Sequence, residues 1–256
     1  MPFQKIQAEK LSASVVHQIE LLILRGILRP GERLPSERDL SERLGVSRPS
    51  LREAVAQLQD KGLLASRAGS GIFVADVLGS AFSPALTRLF ASHDEAVFDY
   101  VAFRRDIEAL AAQRAARLGS DSDLAVIQTI FDRMQDDTTD RSPEDEARLD
   151  AQFHGAIIEA SHNVVMLHMM RAMFDLLREG VFYNRQVMFQ QRTTRAALLD
   201  QHRAINDAIQ ARNPDAARSA VIAHLEFIEQ ALLDQRRADR NERIARQRLL
   251  HEAGPN

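Results

Sequence analysis

Gly45-Val46-Ser47-Arg48-Pro49-Ser50-Leu51-Arg52-Glu53-Ala54 decides the fold of the first third of this chain. Ser47 is a helix N-cap type whose hydroxyl can accept a first-turn N–H, and Pro49 is tolerated there because that turn needs no internal donor. Leu51, Val55 and Leu58 continue at helical spacing as far as Lys61-Gly62. This predicts a helix with an apolar inner face and with Arg48 and Arg52, four apart, together on another face.

Upstream, Leu11, Val15, Ile19, Leu22 and Ile23 recur at helical spacing until Gly26 and Pro30-Gly31 stop the pattern. Ser36-Glu37-Arg38-Asp39 then opens a short helix carrying Leu40 and Leu44 and ending at Gly45. Downstream, Leu63 to Ser66 and Gly71 to Val74 read as two short strands around the turn Arg67-Ala68-Gly69-Ser70. Helix, helix, turn, helix and hairpin in that order predict a winged helix-turn-helix. Such a unit presents the N-terminus of its third helix to base edges and holds phosphates with basic groups. Arg48 and Arg52 can each reach guanine O6 and N7 through two parallel hydrogen bonds. Ser47 and Ser50 suit phosphate or base contact, Arg38 projects from the preceding helix, and Gly69 lets the wing tip approach the sugar-phosphate chain. An isolated arginine pair ordinarily just solvates a helix face and pairs with neighbours such as Glu42 or Glu53; the surrounding order of elements reverses those odds.

The charge distribution agrees. The 256 residues carry a formal net charge of -3, yet residues 1–75 hold 11 Lys and Arg against 8 Asp and Glu, leaving 22 against 28 for the rest. Cysteine is absent, which excludes disulfides, thiolate zinc fingers and a cysteine nucleophile and suits a reducing compartment, so the expected location is the cytoplasm. No apolar run approaches about 18 residues and no export signal opens the sequence, so neither membrane insertion nor export is expected.

From Asp94 to about Arg236 the apolar periodicity is helical throughout, with breaks at Gly119-Ser120, 136–142, Ser161-His162-Asn163 and Arg212-Asn213-Pro214. The fold class is therefore mainly α: a winged helix-turn-helix over 1–75, a linker over 76–93, an all-helical antiparallel bundle over 94–240, and a charged, disordered tail over 241–256. Four polar residues of the bundle fall where the periodicity wants core. Asp150 and His154 lie four apart, one step round from Leu149, Phe153 and Ile157; His202 sits in the stripe of Leu198, Ile205 and Ile209; His224 sits in that of Ala217, Val221 and Ile228. Singly, each histidine is more often a hydrogen-bonded core or surface residue. Together they predict three helices converging on a divalent first-row metal such as zinc, with positions left for an outside ligand. Arg104 lies on the stripe of Val97, Val101, Ala111 and Ala115, so it needs a partner: Glu108 one turn on, or the carboxylate of an effector.

Gly31-Glu32-Arg33-Leu34-Pro35-Ser36-Glu37-Arg38-Asp39-Leu40, Gly45 to Ala54 and Gly69-Ser70-Gly71-Ile72-Phe73-Val74 closely resemble the GntR family. That resemblance implies that Arg38, Arg48 and Arg52 contact DNA and that a homodimer reads a short palindrome with guanine-containing half-sites. Asp150, His154, His202 and His224, in that order, together with Arg104-Arg105-Asp106-Ile107-Glu108, resemble the FCD sensing domain of the family's FadR branch, whose members bind small organic acids, many through a metal. Within the branch the chain looks most like regulators of the pyruvate dehydrogenase complex. The resemblance thus implies a repressor released by a small carboxylate such as pyruvate, with lactate and related hydroxy acids as the alternative. A metal-dependent hydrolase is disfavoured because no general base stands beside the ligand set. A regulator that senses the metal itself and an architectural DNA binder are the remaining rivals.

Overall fold

The computed structural model describes residues 9–67, 70–76, 83–136, 141–178 and 192–252. The chain folds as two compact units, Met1–Ala81 and Phe82–Asn256.

The first unit contains α1 (Glu9–Leu24), α2 (Glu37–Leu44), α3 (Arg48–Asp60), β1 (Leu64–Arg67) and β2 (Gly71–Val74). Its helix ends follow the capping chemistry. The Ser36 and Ser47 hydroxyls accept from the N–H of Asp39 and Ser50, and Gly45 ends α2 in the left-handed region at φ 63°. Val15, Val16, Ile19 and Ile23 of α1 join Leu51, Ala54, Val55 and Leu58 of α3 in one core, closed by Leu34, Leu64 and Val74. The strands pair antiparallel, from Leu64 opposite Val74 to Arg67 opposite Gly71. The segment before α2 adds a further edge that the sequence reading missed. Arg33 bridges Phe73, Gly31 N–H donates to Val74 O, and Leu34 N–H donates to Ile72 O, so the wing is anchored to the approach to α2.

The second unit contains α4 (Pro84–Ser92), α5 (Asp94–Leu118), α6 (Asp121–Gln135), α7 (Pro143–Ala160), α8 (Val164–Arg178), α9 (Arg192–Gln210) and α10 (Pro214–Glu252). Helix α5 packs against α7, α9 and α10 around Val101, Ala112, Phe153, Ile157, Ile205, Ile209, Val221 and Leu225. Its tight exit into α6 depends on Gly119, where a Cβ would stand 2.6 Å from Ala115 O and 2.8 Å from Leu124 Cδ1. The next residue, Ser120, forms a reciprocal capping box with Asp123.

Two boundaries differ from the sequence reading. Within the expected linker over 76–93, residues 84–92 form α4, capped by Ser83 and packed on α5. Beyond 240, where a disordered tail was expected, α10 continues to Glu252. No Pro or Gly interrupts 215–252, and the exposed face carries i,i+4 pairs such as Glu242–Arg246 at 2.8 Å. Among the described residues, no helix is long and apolar enough to cross a membrane.

Candidate metal centre and DNA-reading face

Three helices deliver the inward polar set. α7 brings Asp150 and His154, α9 brings His202, and α10 brings His224, all buried. One ligand atom from each lies within 4.8 Å of every other. Asp150 Oδ1 stands 3.1 Å from His202 Nε2 and 3.7 Å from His154 Nε2, and the two Nε2 atoms are 3.3 Å apart. Phe153 meets both of these imidazoles edge-on, at centroid distances of 5.8 and 5.3 Å, restricting how the rings can turn.

His224 supplies a direct test of whether a metal fits. Its Nδ1 lies 2.9 Å from Gln201 Oε1, while its Nε2 is buried with no hydrogen-bond partner. Burial first, then His202 and His154 beside it, push its pKa well below 6.5. The ring is therefore neutral, with Nδ1–H donated to Gln201 and the Nε2 lone pair turned inward. An orphaned acceptor costs stability unless something binds it, and a cation held by three imidazoles and a carboxylate matches this donor set.

α5 contributes a fourth wall that the sequence reading understood only in part. Arg104 and Glu108, both buried, form the expected pair, with Nε 2.5 Å from Oε1 and Nη2 3.3 Å from Oε2. Glu108 also reaches the centre: its Oε2 lies 2.7 Å from His154 Nδ1, at an angle short of an aligned hydrogen bond. Burial alone would raise this carboxyl, but Arg104 and His154 outweigh it and hold the pKa at about 2, against an ordinary 4.5. Glu108 and Gln201 thus stand behind His154 and His224, where a carboxylate or amide would orient an imidazole that held a metal. Gln201 was missed altogether; its only sequence signal is adjacency to His202.

On the first unit, Ser47, Arg48, Ser50 and Arg52 cluster at the start of α3. Ser47 Oγ lies 2.9 Å from Ser50 Oγ, and Arg48 and Arg52 are exposed. Arg38 is exposed on α2, its Nε 3.3 Å from Glu42 Oε1. Gly69 lies outside the described residues. Arg67, which the sequence reading did not single out, sits on the wing with its guanidinium carbon 4.5 Å from the Phe73 ring centroid.

Both units match profiles of known protein families. The profile described as "Bacterial regulatory proteins, gntR family" matches residues 11–74, and the FCD domain profile matches residues 99–227. The "Putative L-lactate dehydrogenase operon regulatory protein" of Escherichia coli K12 is 39% identical over 223 residues, 86% of this chain and 85% of that protein. The chain belongs to the GntR family, with an FCD domain.

Two other relatives of this GntR regulator are the Glc operon transcriptional activator of E. coli K12 and the HTH-type transcriptional regulator LutR of Bacillus subtilis. The first is 31% identical, over 86% of this chain and 88% of that protein; the second is 30% identical, over 82% and 96%. Among solved structures, the GntR protein of Streptococcus agalactiae is 23% identical, with a TM-score of 0.49, over 86% of this chain and 99% of that one. The protein is a DNA-binding transcription regulator and not an enzyme, which removes the hydrolase alternative. The finer resemblance to pyruvate dehydrogenase regulators needs correction, because these relatives carry lactate and Glc operon names instead.

Proposed function

We propose that this GntR regulator is a homodimeric repressor that binds a short palindromic operator and is released by a small 2-hydroxy acid of the lactate or glycolate type. The observation that carries the reading is the buried convergence of Asp150, His154, His202 and His224 in the same chain as a winged helix-turn-helix. Arg48 and Arg52 read guanines, Arg38, Ser47 and Ser50 hold phosphates or base edges, and Gly69, lacking a side chain, is the proposed point of close approach to the sugar-phosphate chain.

Zinc is the proposed ion, since imidazole and carboxylate donors without thiolate suit it and the set leaves room for further ligands. When bound, it would hold the effector through its carboxylate and adjacent oxygen. A 2-hydroxy acid presents both on neighbouring carbons, and the lactate and Glc operon names of the relatives favour that class over pyruvate. Glu108 and Gln201 keep His154 and His224 aimed at the ion. Arg104, which shares Glu108 with His154, supplies the positive charge facing the effector's carboxylate. Binding in only one of two helix arrangements then changes operator affinity.

The test is a thermal-shift series on zinc-loaded full-length protein with L-lactate, glycolate and pyruvate, repeated with chelator and in His202→Ala. A saturating hydroxy acid at about 100 times its Kd stabilises by about 2.7 kcal/mol. That gain should vanish on chelation and in the variant, and the same acid should weaken operator binding. Absence of a shift with any acid overturns the effector reading; if zinc alone switches operator binding, the metal is the signal.

A further inference from the structure

The DNA-reading face carries an acid that its expected partner would repel. Glu37 opens α2, fixed there by the Ser36 cap, and its Oε2 accepts a 2.8 Å hydrogen bond from Arg52 Nε on α3, fifteen residues on. The contact is partly sheltered, with the Glu37 side chain 32% exposed and that of Arg52 64%. Arg48, one turn earlier on the same face of α3, has no such carboxylate: no hydrogen bond or ion pair holds it among the described residues. A duplex brings a dense row of phosphates to this surface, so a carboxylate here opposes approach. A first-turn acid is accounted for by the helix dipole, but Asp39 already fills that role on α2. Neither point explains why Glu37 reaches across to the other helix.

We propose that Glu37 is a positioning residue for base readout: it holds Arg52 by its Nε–H so that the outer edge of the guanidinium, Nη1 and Nη2, is presented to a guanine. An arginine has five donors in a rigid fork, and the bidentate contact to O6 and N7 can use either the outer edge or the side edge that includes Nε. A carboxylate on Nε takes the side edge out of use. It also fixes a side chain that otherwise loses rotamer freedom on binding. Arg52 becomes a preset, single-mode reader, whereas Arg48 remains an adaptable one. The acid lowers general attraction to DNA and in exchange sharpens discrimination at one base pair.

This proposal rests on the assignment of α3 as the reading helix, and the experiment separates the two. Full-length wild-type protein selects its site from a random duplex library. Binding is then measured on that site and on every single-base-pair variant, across a salt series, for wild type, Arg52→Ala, Glu37→Ala and Glu37→Gln. Arg52→Ala should flatten discrimination about tenfold at one guanine-containing pair. Glu37→Ala should flatten the same pair comparably while binding unrelated DNA as tightly as wild type or tighter. Glu37→Gln, whose amide oxygen still accepts from Nε–H, should restore discrimination at that pair and keep the tighter general binding. A role confined to helix stability would weaken all sequences alike and shift the melting temperature. If Arg52→Ala flattens a pair that Glu37→Ala leaves intact, the positioning role is overturned and the reading helix stands. If Arg52→Ala flattens no pair, both fall.

Discussion

Glu108→Ala isolates how much of the second unit depends on a buried ion pair. Arg104 is 0% exposed and Glu108 2%, so neither charge has water to fall back on. The Glu108 carboxyl is held at about 2 against 4.5, which at 1.36 kcal/mol per unit corresponds to about 3 kcal/mol of preference for its charged form. Removing one partner of a buried pair costs about 3–5 kcal/mol, because the other charge loses the group it was paired with. Glu108→Ala is therefore expected to cost the second unit about 3–5 kcal/mol. The rings of Tyr100 and Phe174, 5.9 and 5.6 Å from the guanidinium carbon, cannot replace a carboxylate. The double variant Arg104→Met/Glu108→Leu should recover most of the loss, since apolar replacement of a buried pair is near neutral. The protein has no Trp, and its two Tyr residues, Tyr100 and Tyr183, both belong to the second unit. Tyrosine fluorescence during urea unfolding in chelator therefore reports that unit alone, and an unchanged denaturant slope checks that the transition is comparable. A cost below about 1 kcal/mol for the single variant, or a double variant no more stable than it, refutes the reasoning.

Gln201→Leu should weaken zinc binding by about 10–100-fold with little change in fold, because it frees the His224 tautomer; competition against a chromophoric chelator measures it, and unchanged affinity removes Gln201 from the site. The second unit in chelator should lose stability as pH falls below about 6.5: the His224 pKa is depressed in the fold, so the unfolded chain binds the extra proton first. Melting followed by tyrosine fluorescence at pH 8, 7 and 6 would contradict this by staying level or rising. Acid should bring a second loss between pH 4.5 and about 2, where the Glu108 pair is discharged. Gly119→Ala should destabilise the second unit by about 1–3 kcal/mol, since a Cβ would meet the Ala115 carbonyl at 2.6 Å; a neutral result would mean that the α5–α6 corner relaxes freely.

The sequence by itself determined the order of elements in the first unit and singled out the four residues that converge in the second. Ser36, Gly45 and Ser47 act through backbone groups a few residues away, so capping positions α2 and α3 without tertiary information. The stripes around Asp150, His154, His202 and His224 already place polar groups on core faces, because helical periodicity alone fixes which residues share a side. Periodicity is blind where a helix has little to bury. The helix over 84–92 and the extension to Glu252 went unread because few of their side chains are buried: none of the described ones in 84–92, and none beyond Ile228. Only the tertiary structure decided the pairings. That Glu108 is shared with His154, that Gln201 fixes His224 and that Glu37 holds Arg52 are contacts set by how neighbouring helices pack. They join residues 15 to 46 positions apart on different helices. A hydrogen bond depends on distance and angle to a few tenths of an ångström, and sequence spacing carries no such information between one helix and the next.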